Sequence, residues 1–77
     1  MIEKVKKVLA EVFDISDVPD DLQMDDIEEW NSLGQINLIL AIEAEFNIKI
    51  PTEKILHLSS VNKIAAYLEH TNNEQDV

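Results

Sequence analysis

The apolar positions near the N-terminus repeat with the spacing of a helix. Between residues 2 and 13 they recur mostly every three or four positions, and charged side chains lie between them. This spacing places the apolar side chains on one face. They are Ile2, Val5, Val8, Leu9, Val12 and Phe13. The pattern therefore predicts a first amphipathic helix over residues 2–13.

The helical period is lost over residues 14–31, where eight carboxylates occur without a lysine or an arginine. Pro19 also interrupts this segment. Connections of this length in small domains are usually functional or disordered. Spaced apolar residues favour an ordered loop that is anchored on the core by some of Val18, Leu22, Met24, Ile27 and Trp30. We therefore expect a long, acidic and ordered loop.

A second helix is predicted from Ser32 to Phe46, and its apolar residues form two stripes. The wider stripe is suited to the core and consists of Leu38, Ile39, Ile42 and Phe46. The other stripe starts beside Ser32 and consists of Leu33, Ile36 and Leu40. So small a domain cannot easily bury both stripes, and an exposed apolar patch often marks an interaction surface. We therefore expect the second stripe to face outward.

The remaining segments predict a short helical turn and a last helix. Residues 47–51 are expected to be extended because a residue before proline avoids helical geometry. Thr52 is the expected cap of a short turn over residues 53–56. Ser59 or Ser60 is the expected cap of the last helix. The core face of that helix is predicted to carry Val61, Ile64, Ala65 and Leu68.

The predicted fold is therefore all-α. It is a small four-helix bundle, three main helices plus one short helix, with a long loop between helices 1 and 2. A chain of 77 residues holds one domain, which we place at residues 1–71, followed by a flexible polar tail at residues 72–77. The absence of cysteine excludes disulfides and thiolate metal sites. The N-terminus lacks the apolar stretch of a secretory signal, so we expect a cytoplasmic protein.

The net charge of −10 restricts the partners. Such a surface repels nucleic acid and anionic membranes, so we expect neither nucleic-acid binding nor membrane insertion. Basic protein surfaces are the natural partners, since complementary charge accelerates encounter. Acidity also keeps small proteins soluble, so charge alone does not decide between these interpretations.

No catalytic or metal-binding pattern stands out in the sequence. His57 and His70 are far apart and belong to no ligand-spaced cluster. The acidic loop does not fit a calcium-binding EF-hand, because neither Asp14 nor Asp17 as the first ligand places glycine at the sixth position. We therefore expect neither an enzyme nor a dedicated metal site.

Ser32 is the candidate for chemistry. A serine at a helix start is most often only an N-cap. Here Asn31 is a second candidate for the cap, and this would leave the Ser32 hydroxyl facing solvent. The N-terminus of a helix also favours an attached phosphate, because its unpaired N–H groups and its dipole attract negative charge. Both interpretations of Ser32 remain open from spacing alone.

The run from Trp30 to Ile50 resembles acyl carrier proteins. It reads Trp-Asn-Ser-Leu-Gly-Gln-Ile-Asn-Leu-Ile-Leu-Ala-Ile-Glu-Ala-Glu-Phe-Asn-Ile-Lys-Ile. In that family the second helix opens with Asp-Ser-Leu and continues through a leucine-rich segment to Glu-Glu-Phe and an extended Ile-x-Ile or Ile-x-Leu. The likeness extends over roughly residues 1–70 and includes Pro51 and the Ser60-Val61 pair.

The resemblance implies that a phosphopantetheinyl transferase attaches 4′-phosphopantetheine to Ser32. The terminal thiol of this arm would carry acyl, aminoacyl or peptidyl groups as thioesters. A loading ligase and downstream biosynthetic enzymes with basic docking surfaces would be the other partners. The implied partner-binding residues, on a carrier expected to be a monomer, are Glu29, Asn31, Leu33, Ile36, Leu40 and Glu43.

Three departures from the family pattern qualify the assignment, one of which is that Gly34, Asn37 and Ala44 stand where fatty-acid carriers often have acids. Asn31 stands where the family usually has aspartate, and Trp30 replaces a small residue of the fatty-acid carriers. The Trp-Asn-Ser-Leu run is more similar to carriers of specialised biosynthetic pathways. Two alternatives stay open: an unmodified acidic helical module that binds proteins, and a metal-binding regulator built on the acidic loop.

Overall fold

The structure, a computed structural model, consists of four helices and a long first connection. It describes residues 1–75, and of residues 72–75 it describes the backbone only. The helices are α1 (Ile2–Phe13), α2 (Ser32–Phe46), α3 (Thr52–Ile55) and α4 (Val61–Gln75). Within the described residues the only β-type pairing is an isolated antiparallel bridge between Gln23 and Ser60. The predicted all-α bundle with one short helix is confirmed.

Helix α1 ends where the apolar period ends. Its buried side chains are Val5, Val8, Leu9 and Phe13. Asp14 follows in the left-handed conformation, with φ of 53°, and its N–H donates to the carbonyl of Ala10. This is a common way to close a helix, and aspartate is among the residues that tolerate the left-handed region.

Helix α2 carries the two stripes that the sequence predicts. Leu38, Ile39 and Ile42 are buried, whereas the second stripe is largely exposed. The prediction that Phe46 belongs to the core is only partly right. Its ring is half-buried and packs against the edge of the core, because Phe46 is the last residue of the helix. Asn47 then ends α2 in the left-handed conformation, with φ of 55°.

The acidic loop is ordered and is held at several points. Val18, Leu22 and Trp30 are buried, and Met24 and Ile27 pack partly against the same core. Two backbone hydrogen bonds join the loop to the start of α4. The N–H of Met24 donates to the carbonyl of Ser59 at 2.8 Å. The N–H of Val61 donates to the carbonyl of Leu22 at 2.9 Å. The expected anchoring of the loop is confirmed.

An ion pair at the surface joins the loop to α1. The ammonium group of Lys6 lies 2.8 Å from a carboxylate oxygen of Asp20. The hydrogen bond to this carboxylate raises the pKa of Lys6 above its ordinary value. Exposed pairs of this kind contribute little to stability. The buried apolar residues of the loop therefore hold it more firmly than this pair does.

The two later helices differ in how they begin. Thr52 was expected to cap the short turn, but this is wrong, since α3 starts after Pro51 without a side-chain cap. The proline ring fixes the φ of Pro51, and proline has no N–H group. The turn therefore begins after Pro51 without a side-chain cap. Ser60 is confirmed as the cap of α4, because its hydroxyl accepts from the N–H of Lys63 at 3.1 Å.

Residues 72–75 of the predicted polar tail belong to the end of α4. This helix continues to Gln75, and residues 76 and 77 lie outside the described part of the chain. The predicted core face of α4 is confirmed, since Val61, Ile64, Ala65 and Leu68 are all buried.

Helix α1 packs against both α2 and α4, and α3 packs against α2. The start of α2 lies close to Glu29 and Phe13 at Gly34, and Gln35 joins it to Ile55 of α3. Within the described residues, no helix is long and apolar enough to cross a membrane.

Candidate functional site

Ser32 is the first residue of α2, and its side chain is exposed. Asn31 precedes it in an extended conformation, and its side-chain oxygen accepts from the N–H of Gly34 at 2.8 Å. Asn31 is therefore the N-cap. Among the described residues, no hydrogen-bond partner engages the Ser32 hydroxyl. The hydroxyl is thus an accessible group at a helix end that another residue already caps.

Backbone donors also remain at this helix end. The cap satisfies Gly34, and the N–H of Gln35 donates to the carbonyl of Asn31 at 2.8 Å. In the described part of the chain, no acceptor pairs with the N–H of Ser32 or Leu33. Unpaired N–H groups and the positive end of the helix dipole both favour a phosphate there.

Gly34 allows α2 to approach the end of the acidic loop closely. A Cβ atom at this position would lie 2.1 Å from the carbonyl oxygen of Glu29 and 3.2 Å from the ring of Phe13. No larger residue fits without moving the backbone. The sequence reasoning missed this role, although a lone glycine inside a helical pattern often has a packing cause.

Trp30 and Gln35 form a buried polar contact beneath the site. The indole N–H of Trp30 donates to the side-chain oxygen of Gln35 at 2.6 Å, and both side chains are 0% exposed. The amide nitrogen of Gln35 donates to the carbonyls of Ile55 and Leu58, at 2.6 and 2.8 Å. Gln35 therefore joins α2 to the loop, to α3 and to the segment before α4.

The sequence reasoning did not identify Gln35. The available signal was its position one turn before Leu38, on the stripe that faces the core. A polar residue in such a place needs partners. Those partners come from residues distant in sequence, so the pattern along α2 cannot name them.

The outward stripe lies on α2 immediately after Ser32. Leu33, Ile36 and Leu40 are 67%, 50% and 59% exposed. Leu56, just after α3, is a further exposed apolar residue that the sequence reasoning did not select. Leu33, Ile36 and Leu40 offer an apolar contact surface on the helix that begins at Ser32.

The two acidic residues predicted at the site lie in different environments. Glu29 is exposed at the end of the loop, beside an open groove of about 280 Å³ between the end of α1 and the start of α2. Glu43 is half-buried, and its carboxylate accepts from the N–H of Ile50 at 2.7 Å. Glu43 thus holds the segment that follows α2, and its proposed contact with partners stays a prediction.

The carboxylates of the acidic loop do not converge on a common point. Among the described residues, no group of three or more histidine, aspartate and glutamate side chains is placed to hold a metal ion. The arrangement around Ser32 offers a hydroxyl, two N–H donors and an apolar surface, which together suit covalent attachment and docking.

Comparison with known proteins identifies the family. The sequence pattern of the family described as "Phosphopantetheine attachment site" matches residues 3–68. The chain belongs to this family. Most of the chain, from the first turn of α1 into α4, takes part in the match.

Acyl carrier proteins are among the proteins that are similar to this chain. The acyl carrier protein of Clostridium acetobutylicum is 32% identical over 74 residues, which cover 92% of this chain and 96% of the relative. That of Campylobacter hominis is 30% identical over 76 residues, 94% of either chain. The mitochondrial acyl carrier protein 3 of Arabidopsis thaliana is 38% identical over 72 residues, 88% of this chain and half of the relative.

Membership of the family implies a covalent 4′-phosphopantetheine group and the role of an acyl carrier. Such carriers interact with phosphopantetheinyl transferases and with acyl-handling enzymes, and they are not catalytic themselves. The residues present fit the group, because an accessible hydroxyl adjoins unpaired N–H donors at a helix N-terminus.

Proposed function

We propose that Ser32 is the attachment point of the 4′-phosphopantetheine arm and that the chain delivers thioester-bound intermediates to partner enzymes. The observation that carries this proposal is the division of roles at the start of α2. Asn31 makes the capping hydrogen bond, and the Ser32 hydroxyl is exposed beside it. A serine that is not needed for the cap is available for modification.

The attachment reaction uses the Ser32 hydroxyl as the nucleophile. Its oxygen forms a bond to the phosphorus that carries pantetheine in coenzyme A, and adenosine 3′,5′-bisphosphate leaves. The hydroxyl proton passes to a base of the transferase. The N–H groups of Ser32 and Leu33 and the helix dipole favour the negative charge of the resulting phosphodiester. The arm then supplies a thiol on which acyl groups are held as thioesters.

The docking surface proposed for partners is the outward stripe of α2. Leu33, Ile36 and Leu40 provide exposed apolar area, and Glu29 provides charge at the edge nearest Ser32. Apolar contacts supply binding energy, whereas acidic groups around them steer basic partner surfaces. Asn31 adjoins the hydroxyl and contributes a polar contact to the transferase. Glu43, which is half-buried and accepts from the N–H of Ile50, contributes a further carboxylate to this surface in the proposal.

The pathway and the cargo are the finer parts of the proposal. The Trp30-Asn31 pair before Ser32 favours a specialised biosynthetic pathway, with acyl, aminoacyl or peptidyl cargo delivered by a loading ligase. The chain performs no catalysis in this proposal. A cytoplasmic location, a monomeric state and a domain boundary near residue 71 belong to the same set of predictions.

The alternative function is that of an unmodified acidic module that binds proteins. The exposed stripe on α2 and the net charge of −10 suit such a module as well. The two functions differ only in whether Ser32 is modified.

The decisive experiment is intact-protein mass spectrometry before and after incubation with coenzyme A and a broad-specificity phosphopantetheinyl transferase. We expect the mass gain of one phosphopantetheine, mapped by peptide sequencing to Ser32. Ser32→Ala should abolish the gain. Ser16→Ala is the matched control, because Ser16 is exposed in the acidic loop, and it should leave the gain intact.

Two outcomes would contradict the proposal. Normal loading of the Ser32→Ala variant would place the arm elsewhere. A complete lack of loading, also with a second transferase of different specificity, would favour the unmodified module.

A further inference from the structure

The interior of the bundle next to Ser32 is closed by polar and steric contacts. The first turn of α2 packs against the rest of the bundle on two sides. One lies towards α3, and the other lies towards the end of α1. The structure shows a specific obstacle on each side.

The side towards α3 is closed by Gln35. Its amide nitrogen donates to the carbonyls of Ile55 and Leu58, and its oxygen accepts from Trp30. An alkyl chain that separated α2 from α3 would break the bonds to both carbonyls. It would leave an amide and two carbonyl groups facing methylene groups that cannot pair with them, which is strongly unfavourable in a protein interior.

The side towards α1 is closed by close packing. Gly34 approaches the carbonyl of Glu29 so closely that even a Cβ atom would clash, at 2.1 Å. Behind this contact the rings of Phe13 and Trp30 pack with their centroids 5.7 Å apart. The groove beside Asn31 and Leu33 is open to solvent, whereas Phe13 and Trp30 are buried.

We propose that Trp30, Gln35 and Gly34 keep the cargo outside the helical bundle, so that the thioester stays accessible at the surface. The inference rests on the proposed function for the attachment point at Ser32. Its consequence concerns the class of cargo. A long alkyl chain left in water would promote association. Short acyl groups, or acyl groups that bear hydroxyl or amino substituents, are therefore the class that this carrier suits.

The sequence provides a single-site reporter for the test. Trp30 is the only tryptophan, so its indole N–H gives one unambiguous resonance in a ¹H–¹⁵N NMR spectrum. The side-chain amide of Gln35 provides a second signal from the same contact. Both signals respond to any chain that displaces the hydrogen bonds of Gln35.

In the first experiment, the phosphopantetheine arm on Ser32 is loaded enzymatically with an acetyl or an octanoyl group. We expect the resonances of Trp30 and Gln35 to coincide in the two forms. We also expect hydroxylamine to cleave both thioesters at the same rate. Resonances that shift with the octanoyl group, or an octanoyl thioester that resists cleavage severalfold, would overturn the inference.

A second experiment does not depend on the transferase. The chain contains no cysteine, so Ser32→Cys creates a single thiol. A maleimide with a linker as long as pantetheine attaches either an acetyl or an octanoyl end group there. Unchanged resonances of Trp30 and Gln35 support the inference even if Ser32 is never loaded enzymatically, and a shift with the octanoyl group overturns it. Failure of the proposed function is detected separately, as the absence of a mass gain with coenzyme A.

Discussion

The indole N–H of Trp30 donates to the side-chain oxygen of Gln35 over 2.6 Å, and solvent reaches neither side chain. The contact joins the last residue but one of the acidic loop to the first turn of α2. Within the described residues, no buried side-chain nitrogen or oxygen lacks a partner. A buried polar network that is fully satisfied in this way specifies one arrangement of the elements that it joins. The buried contact therefore fixes the start of α2 on the side that faces the core, while Ser32 is exposed to solvent.

The first prediction concerns the amide of Gln35. Gln35→Met keeps the side-chain length but removes all three hydrogen bonds. Trp30 and the carbonyls of Ile55 and Leu58 would then lose a buried partner. Each unsatisfied buried group costs about 1–3 kcal/mol. We expect a loss of at least about 2 kcal/mol in the free energy of unfolding, measured by urea denaturation.

The control for this prediction is Gln23→Met, since Gln23 is exposed in the acidic loop. Its unfolding free energy should stay within about 0.5 kcal/mol of the parent value. Equal stability of the Gln35→Met variant and the parent would show that the network does not hold the fold.

The helices and the two faces of α2 were predictable because they depend on local periodicity. The spacing of Leu38, Ile39 and Ile42 identifies the buried face, and Asn31 beside Ser32 identifies a possible cap. Both features need only neighbours within one or two turns of a helix, and the structure confirms them.

The role of Gln35 was not predictable in the same way, because its partners are distant in sequence. Ile55 and Leu58 meet it only after α3 has folded against α2. Glu43 illustrates the same limit, since its carboxylate accepts from Ile50 across the end of α2. Periodicity shows that such residues are near the core, but only the tertiary arrangement shows what they bind.

The second prediction reverses the usual effect of a glycine substitution. Gly→Ala inside a helix normally stabilises by roughly 0.5–1 kcal/mol. Gly34→Ala should instead destabilise by about 1–3 kcal/mol, because the new Cβ atom would meet the carbonyl of Glu29. Asn37→Ala, at an exposed position one turn later, is the control and should not destabilise the helix. Thermal unfolding followed by circular dichroism compares the two, and a more stable Gly34→Ala variant would refute the close contact.

The third prediction separates capping from modification. Asn31→Ala removes the acceptor for the N–H of Gly34 and should cost about 1 kcal/mol of stability. Asn31→Asp keeps an acceptor at the same place, so its stability should remain within about 0.5 kcal/mol of the parent. Ser32→Ala should likewise have little effect, since Ser32 is not the cap. Urea denaturation of the three variants measures these differences. A larger loss of stability for Ser32→Ala than for Asn31→Ala would show that Ser32, and not Asn31, is the N-cap.

The last prediction compares two leucines on opposite stripes of α2. Leu38 is 0% exposed and Leu40 is 59% exposed, although they are two residues apart in the same helix. Leu38→Ala leaves a cavity in the core and should cost about 2–5 kcal/mol in the free energy of unfolding. Leu40→Ala should change stability by no more than about 0.5 kcal/mol. It should nevertheless lower kcat/KM for loading by the transferase, because it removes apolar area from the proposed docking surface. Denaturation curves and loading kinetics, measured on both variants, separate the two roles. If Leu40→Ala is loaded as fast as the parent, the transferase does not dock on this stripe.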